Sequence, residues 1–369
     1  MYHHIFYNRS FNRFYDLICL QNINNWRLSI PMSIKAEISS IRYIFQAGLV
    51  LTFMLVSTPD MKAQKDTLDF FDYPSTLHKG RFWTATSAGI VAYAGTLITL
   101  NELWYKQYPR TSFHFFNDAA EWQQMDKAGH MFTAYFEADW LYSISRWTGM
   151  QPKTAALSSA LLATGLQATV ETLDGFSSKW GFSVYDFVSN VGGSGMWAAQ
   201  QLAWDEQRIR MKVSSTYRSY PEEIVHGFPD GTTTLRTRTN DLYGENLFQS
   251  FLKDYNAQTI WFSVNVHSFL PEENKFPKWL NVAVGYGAEN MYGGFENEWE
   301  VDGISYKLDD ASYPRYRQFY LSPDIDLSKI PIKSKPLKML AHMINIFKFP
   351  APALELNGNG GFNWRWIYY

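Results

Sequence analysis

Three stretches of helical length carry no charged residue: 84–101, 154–170 and 187–204. They are 17 or 18 residues long, at the lower edge of what a membrane-spanning helix needs. Their Ala, Gly, Ser and Thr residues suit close helix–helix contact in lipid and suit an ordinary buried helix equally well. A further helical stretch, about 121–147, lies between the first and second of these runs. Gly149 and Pro152 separate it from the next, and Gly175 and Gly181 interrupt the chain before the last. Short connections favour antiparallel neighbours. The spacing therefore predicts a four-helix antiparallel bundle, either membrane-embedded or buried in protein.

Beyond about residue 215 the pattern changes. Residues 216–246 are polar, with Pro221, Pro229 and Gly231, and read as a linker or irregular extension. Period-2 alternation follows, the mark of strands. Ile260, Phe262 and Val264 alternate with Trp261 and Ser263. Leu280, Val282, Val284 and Tyr286 alternate with Asn281, Ala283, Gly285 and Gly287. Phe319, Leu321, Ile325 and Leu327 share one side of another strand-like stretch, and Phe362, Trp364, Trp366 and Tyr368 alternate at the end. The NGNGG run at 357–361 is a hairpin connection into the last strand. Residues 337–347 have a helical look between strands. The aromatic-rich last strand resembles those of outer-membrane barrels, but about five strands after residue 245 are too few to close one. A small antiparallel sheet packed on the helices is the favoured reading. The fold class is α+β: the four-helix bundle, then a β-rich antiparallel domain.

Residues 32–64 look like a secretory signal, with Lys35 and Arg42 ahead of the uncharged run 43–56 and Ala63 at a cleavage position. An uncleaved anchor is the alternative. Residues 1–31 would then be upstream sequence with Met32 as the initiator. The single cysteine, Cys19, falls in that stretch, so a disulfide framework and a cysteine-rich zinc site are excluded. Aromatics make up 17% and charged residues only 18% of the chain, which excludes a disordered protein. The net charge of −2 argues against nucleic-acid binding. The expected organisation is upstream extension 1–31, signal 32–64, helical domain 80–215, linker 216–246 and β-rich domain 247–369.

Against so charge-poor a background, the polar residues between 126 and 190 stand out. Asp126 and His130 are four apart and share a helix face, which Glu137 continues two turns on. Glu171 and Asp174 end the third helical stretch. Ser183 is an N-cap for the fourth, with Asp186 at its third position and Asn190 on the same face. In an antiparallel bundle these termini lie at one end. Asp126, His130, Glu171, Asp174, Asp186 and Asn190 should therefore converge. Three readings compete. The carboxylates and His130 bind a divalent metal that activates water. Alternatively His130, with Asp126, Glu171 and Asp186, works as base or nucleophile while Lys127, with Asp174, Ser183 and Asn190, binds a phosphate-bearing lipid or glycan. The third reading makes the residues caps and salt bridges, such as Lys127 with Glu171, that lock the bundle. No HExxH, GxSxG or phosphate-cradling glycine loop is present. Gly192, Gly193 and Gly195 lie within the fourth helical stretch and read as a close helix contact.

The pattern Asp126-Lys127-x-x-His130, the acid Glu171, and Ser183-x-x-Asp186-x-x-x-Asn190-x-x-Gly193 resembles the YfiM-like domain of unknown function. That family is described as predicted periplasmic lipoproteins, and longer Bacteroidetes envelope proteins are among its members. The resemblance covers about residues 80–215. DYNAQT at 254–259, PKWLNVAVGYG at 277–287 and LSPDIDLSKI at 321–330 resemble the extension of the longer members. A more distant likeness is to the VanZ-like membrane family. The resemblance implies an exported, membrane-associated envelope protein on the periplasmic side, with membrane or envelope components as partners. It implies no reaction and no cofactor. No cysteine follows the uncharged run of the signal, a departure from the lipoprotein pattern.

Overall fold

The computed structural model describes residues 69–368. The upstream extension 1–31, the signal 32–64 and Cys19 lie outside the described residues. Four long helices come first: α1 Lys79–Leu100, α2 Met125–Trp147, α3 Pro152–Asp174 and α4 Val184–Trp204. Strands and short helices follow: β1 Ile209–Ser215, β2 Ile224–Phe228, β3 Gly231–Thr234, α5 Leu235–Tyr243, α6 Leu247–Lys253 and β4 Gln258–Val264. Then come β5 Leu280–Glu289, β6 Glu298–Val301, β7 Ile304–Lys307, β8 Tyr316–Ile325, α7 Lys335–Ile344, β9 Ala351–Asn357 and β10 Phe362–Tyr368. The class is mixed α+β, helices first and antiparallel sheets after.

Three of the four predicted helices share a core. Helices α2, α3 and α4 bury Met125, Phe132, Tyr135, Ala156, Ala163 and Trp197 together. Helix α1 has no buried residue, because Trp83, Ile90, Val91 and Ile98 point away from the others and its apolar residues form no single stripe. Among the described residues no helix is long and apolar enough to cross a membrane. The small residues act where α4 meets α2: a Cβ on Gly193 would lie 2.0 Å from the Met131 carbonyl oxygen. Gly192 and Gly195 have open space instead.

Two antiparallel sheets follow, a six-stranded one in the order β1-β4-β5-β8-β9-β10 and a four-stranded one in the order β3-β2-β7-β6. Seven strands, β4 to β10, follow residue 245 where the alternation suggested five. The two short ones, β6 and β7, have four residues each, too few to register a period. The six-stranded sheet docks on the helices: Met211, Val213, Ile260 and Ala288 join the same core as Phe132 and Trp197. Residues 216–246, read from the sequence as a linker, hold the β2–β3 hairpin and α5. Pro229 and Asp230 make its turn, since Gly227 pairs with Gly231. Few residues there are apolar because the hairpin is half exposed; it is anchored through Val225 and Leu235 against Trp299 and Tyr306.

The six-stranded sheet is strongly curled. Tyr368 on β10 packs 6.0 Å from Trp261 on β4 and stacks 4.5 Å from Tyr320 on β8. Three strands separate β4 from β10, so a flat sheet would hold them about 19 Å apart.

Candidate functional site

Helix α2 begins after an unusual turn. Trp122, Gln123 and Gln124 all have left-handed backbones, with φ of 49°, 52° and 63°. Three such non-glycine residues in a row cost about 1–3 kcal/mol each and persist only where neighbours impose them. The Trp122 amide donates to Gly294 O at 2.7 Å and the Gln124 side-chain amide to Ala119 O at 2.9 Å. The Tyr286 hydroxyl donates to Gln123 O. The turn sets Asp126 in the first turn of α2, where a carboxylate suits the helix dipole. At the start of α4, Ser183 Oγ accepts from the Asp186 amide at 3.0 Å. That cap places Asp186 in the first turn of its own helix.

The two helix starts meet around Lys127. Its Nζ lies 2.5 Å from Asp118, 3.0 Å from Asp126 and 2.9 Å from Asp186. His130 stands beside them, with Nε2 3.7 Å from Asp126 and 3.8 Å from Asp186, and Nδ1 3.5 Å from Glu171 and 3.2 Å from Asn190 Oδ1. Glu171, Asp186 and Asn190 are buried. Asp126, His130, Glu171, Asp186 and Asn190 therefore converge, with Lys127 and Ser183 among them.

Two details differ from the sequence expectation, and Glu137 lies deeper on its helix as expected. The Lys127–Glu171 salt bridge does not form, because Lys127 is drawn to three carboxylates while Glu171 faces His130. Asp174 sits aside, accepting from the Tyr105 hydroxyl at 2.8 Å. Glu137, deeper on α2, accepts from Gln167 at 2.9 Å and belongs to the α2–α3 contact. Two members of the cluster went unread in the sequence. Asp118 sits in the loop before α2, takes the Ser183 hydroxyl as a donor at 2.5 Å and carries no motif of its own. Tyr255 donates to Asp126 at 2.6 Å from the sheet side; its signal was the DYNAQT stretch.

Burial dominates the electrostatics. It pushes Glu171 up to about 8, with the charges of Asp174 and Asp126 adding. Burial and the Asp126 charge hold Asp186 well above the usual carboxylate range. Asp126 goes the other way: burial alone would raise it, but His130, Lys127 and Tyr255 outweigh that and hold it low. Asp118 is likewise held low, as Lys127 and the hydrogen bonds of Asp186 and Ser183 overcome its burial. Burial pushes Asp174 and Glu137 up to about 7. The cluster thus mixes acids held low, Asp118 and Asp126, with acids pushed up, Glu171 and Asp186, and Lys127 touches both kinds.

Such a cluster attracts cations. Asp126, His130 and Asp186 each offer one ligand atom within 4.8 Å of the others, and an oxygen–nitrogen set of that kind suits a divalent ion. Lys127 already brings a cation to two of those three residues. An anionic substrate fares worse, because the Lys127 ammonium is already faced by three carboxylates.

Residues 114–201 match the family described as predicted periplasmic lipoprotein (DUF2279). The matched stretch runs from just before Asp118 to the end of α4 and contains the cluster apart from Tyr255. It carries a domain of unknown function, in agreement with the YfiM-like resemblance and with an envelope, periplasmic location. No curated protein and no solved structure matches the chain.

Proposed function

Given that match, we propose that this is a structural or interaction protein of the cell envelope, exported and membrane-associated on the periplasmic side. Its polar cluster locks the helical bundle and ties it to the sheet. The observation that carries this reading is the position of Lys127, bonded to carboxylates from the preceding loop, from α2 and from α4. All four side chains are at most 16% exposed. Tyr255 extends the lock into the β-rich half through Asp126. A hydrolase acting on a lipid- or glycan-linked phosphate is the weaker reading, since Lys127 already has three carboxylate partners and none of its charge is left for a phosphate.

Thermal and chemical unfolding of Lys127→Met tests the lock. Removing one partner of a buried ionic cluster costs about 3–5 kcal/mol, so the variant should melt well below the parent. His130→Ala should impair the cell only in proportion to its loss of stability. A Lys127→Met protein as stable as the parent overturns the lock. So does a His130→Ala protein that keeps full stability yet loses its cellular role, the outcome expected of a catalytic site.

A further inference from the structure

The polarity of the six-stranded sheet is inverted. On β5, β8, β9 and β10 the outward residues include Val282, Val284, Phe319, Leu321, Leu356 and Trp364, each between 40% and 55% exposed. They form one continuous surface: Val284 faces Leu321, Tyr286 faces Phe319, Phe319 faces Leu356, and Leu354 faces Trp364. The opposite face holds Ser263, Asn281, Gln318, Ser322, Asp324 and Glu355, all 4% exposed or less. Lys212 bonds Asp324 there at 2.8 Å with both side chains fully buried, and Arg365 bonds Glu355 at 2.8 Å. A sheet in water buries its apolar face and exposes its polar one. Here the polar face is the buried one. The helices cover the apolar face at Ile260, Phe262 and Ala288. Across Val282, Val284, Phe319, Leu321 and Leu356 it stays exposed, as the outer face of a sheet in a bilayer does.

We propose that this outward face lies against the acyl chains of a lipid bilayer. The claim names the surface behind the membrane association proposed above and is independent of the role given to the polar cluster. Three further observations favour lipid over a protein partner. The sheet curls around its polar face, where Trp261, Tyr320 and Tyr368 meet. The apolar face is therefore convex; the helices cover it at Ile260, Phe262 and Ala288, and the part they leave bare bulges outward, a shape that a fluid covers whole. On β8 the outward face is apolar from Phe319 to Ile325, about 23 Å of strand, which at a tilt of about 40° enters most of the ~25 Å apolar band of a membrane sheet. The exposed Arg317 stands at its far end. At the end where β8 leaves and β9 returns, α7 exposes Leu337, Leu340, Met343 and Ile344 and buries only Ala341. Lys333 and Lys338 stand exposed beside them, the composition of a helix that lies at an anionic headgroup layer.

The near-absence of cysteine makes the test direct. In a full-length Cys19→Ser background, nitroxide labels are placed at Val284→Cys, Leu321→Cys and Leu356→Cys, with Asp302→Cys in the exposed β6–β7 turn as the water control. The proteins are floated with phosphatidylethanolamine–phosphatidylglycerol vesicles, and collision rates with oxygen and with a water-soluble nickel chelate are measured. The expected result is a ratio of oxygen to nickel accessibility several-fold higher at the three sheet positions than at the control. Nickel accessibility equal to the control overturns the assignment, and so does protection from both reagents, which would mean a protein cover. A protein that does not float with vesicles overturns the membrane association as well. One that floats with its labels in water overturns only the face.

Discussion

Replacing Glu171 by Gln should remove one large contribution to the pH dependence of folding that arises in the helices, beside those of Asp174, Glu137 and Asp186. The Glu171 side chain is 1% exposed, and burial first, then Asp174 and Asp126, pushes its pKa from 4.5 to about 8. Between those values the folded protein holds a proton that the unfolded chain has released. The sign follows: stability is greatest below the unfolded value and falls as pH rises towards the folded one, by about 1.4 kcal/mol per unit. From pH 5 to pH 8 the loss integrates to about 4 kcal/mol as an order of magnitude. Glu171→Gln keeps the size and the neutral, hydrogen-bonding character of the protonated acid but has no proton to lose. Denaturant midpoints read by circular dichroism at pH 5 and pH 8 should therefore show the variant gaining on the parent across that interval. Parallel profiles would refute the reasoning. They would mean that Glu171 is ionised in the fold and paired with His130, 3.5 Å away, and the variant would then be the less stable protein at both pH values.

Gly193→Ala puts a Cβ 2.0 Å from the Met131 carbonyl oxygen. It should cost about 1–3 kcal/mol or more in thermal unfolding, while Gly192→Ala, in open space, should stabilise α4 by up to about 1 kcal/mol. Lys212→Met strands the fully buried Asp324 carboxylate and should cost about 3–5 kcal/mol, with the added change Asp324→Leu restoring most of the loss. Dialysis against a chelator should leave the melting temperature unchanged. A rise on adding zinc or manganese that disappears in Asp126→Asn would replace the lysine lock by a metal at Asp126, His130 and Asp186.

Much of the local structure was legible along the chain. Charge-free runs, Gly149, Pro152 and the Ser183 cap mark helices because capping and burial act within a few residues. The NGNGG run marks the β9–β10 connection for the same reason, with Gly360 at a φ of 79°. The meeting of Asp126, His130, Glu171, Asp186 and Asn190 followed from helix phase and antiparallel order, both short-range properties. What escaped depends on distant partners. Asp118 is one acid in an unpatterned loop until Ser183 and Lys127 reach it from elsewhere. Helix α1 has the composition of a bundle member, yet it touches the others only along one side and buries no residue fully. The β2–β3 hairpin looks like linker because its apolar partners, Trp299 and Tyr306, lie some seventy residues on.

The division is sharpest in β5 and β8. Alternation of Val282, Val284 and Tyr286 with Asn281, Ala283 and Gly285 determined that these residues form a strand. It could not say which set faces inward, because a period of two is the same from either side. Tertiary structure decided that. Trp261, Tyr320, Tyr368 and the Lys212–Asp324 pair fill the inside of the curl, and an interior filled with aromatic rings and paired charges turns the aliphatic set outward.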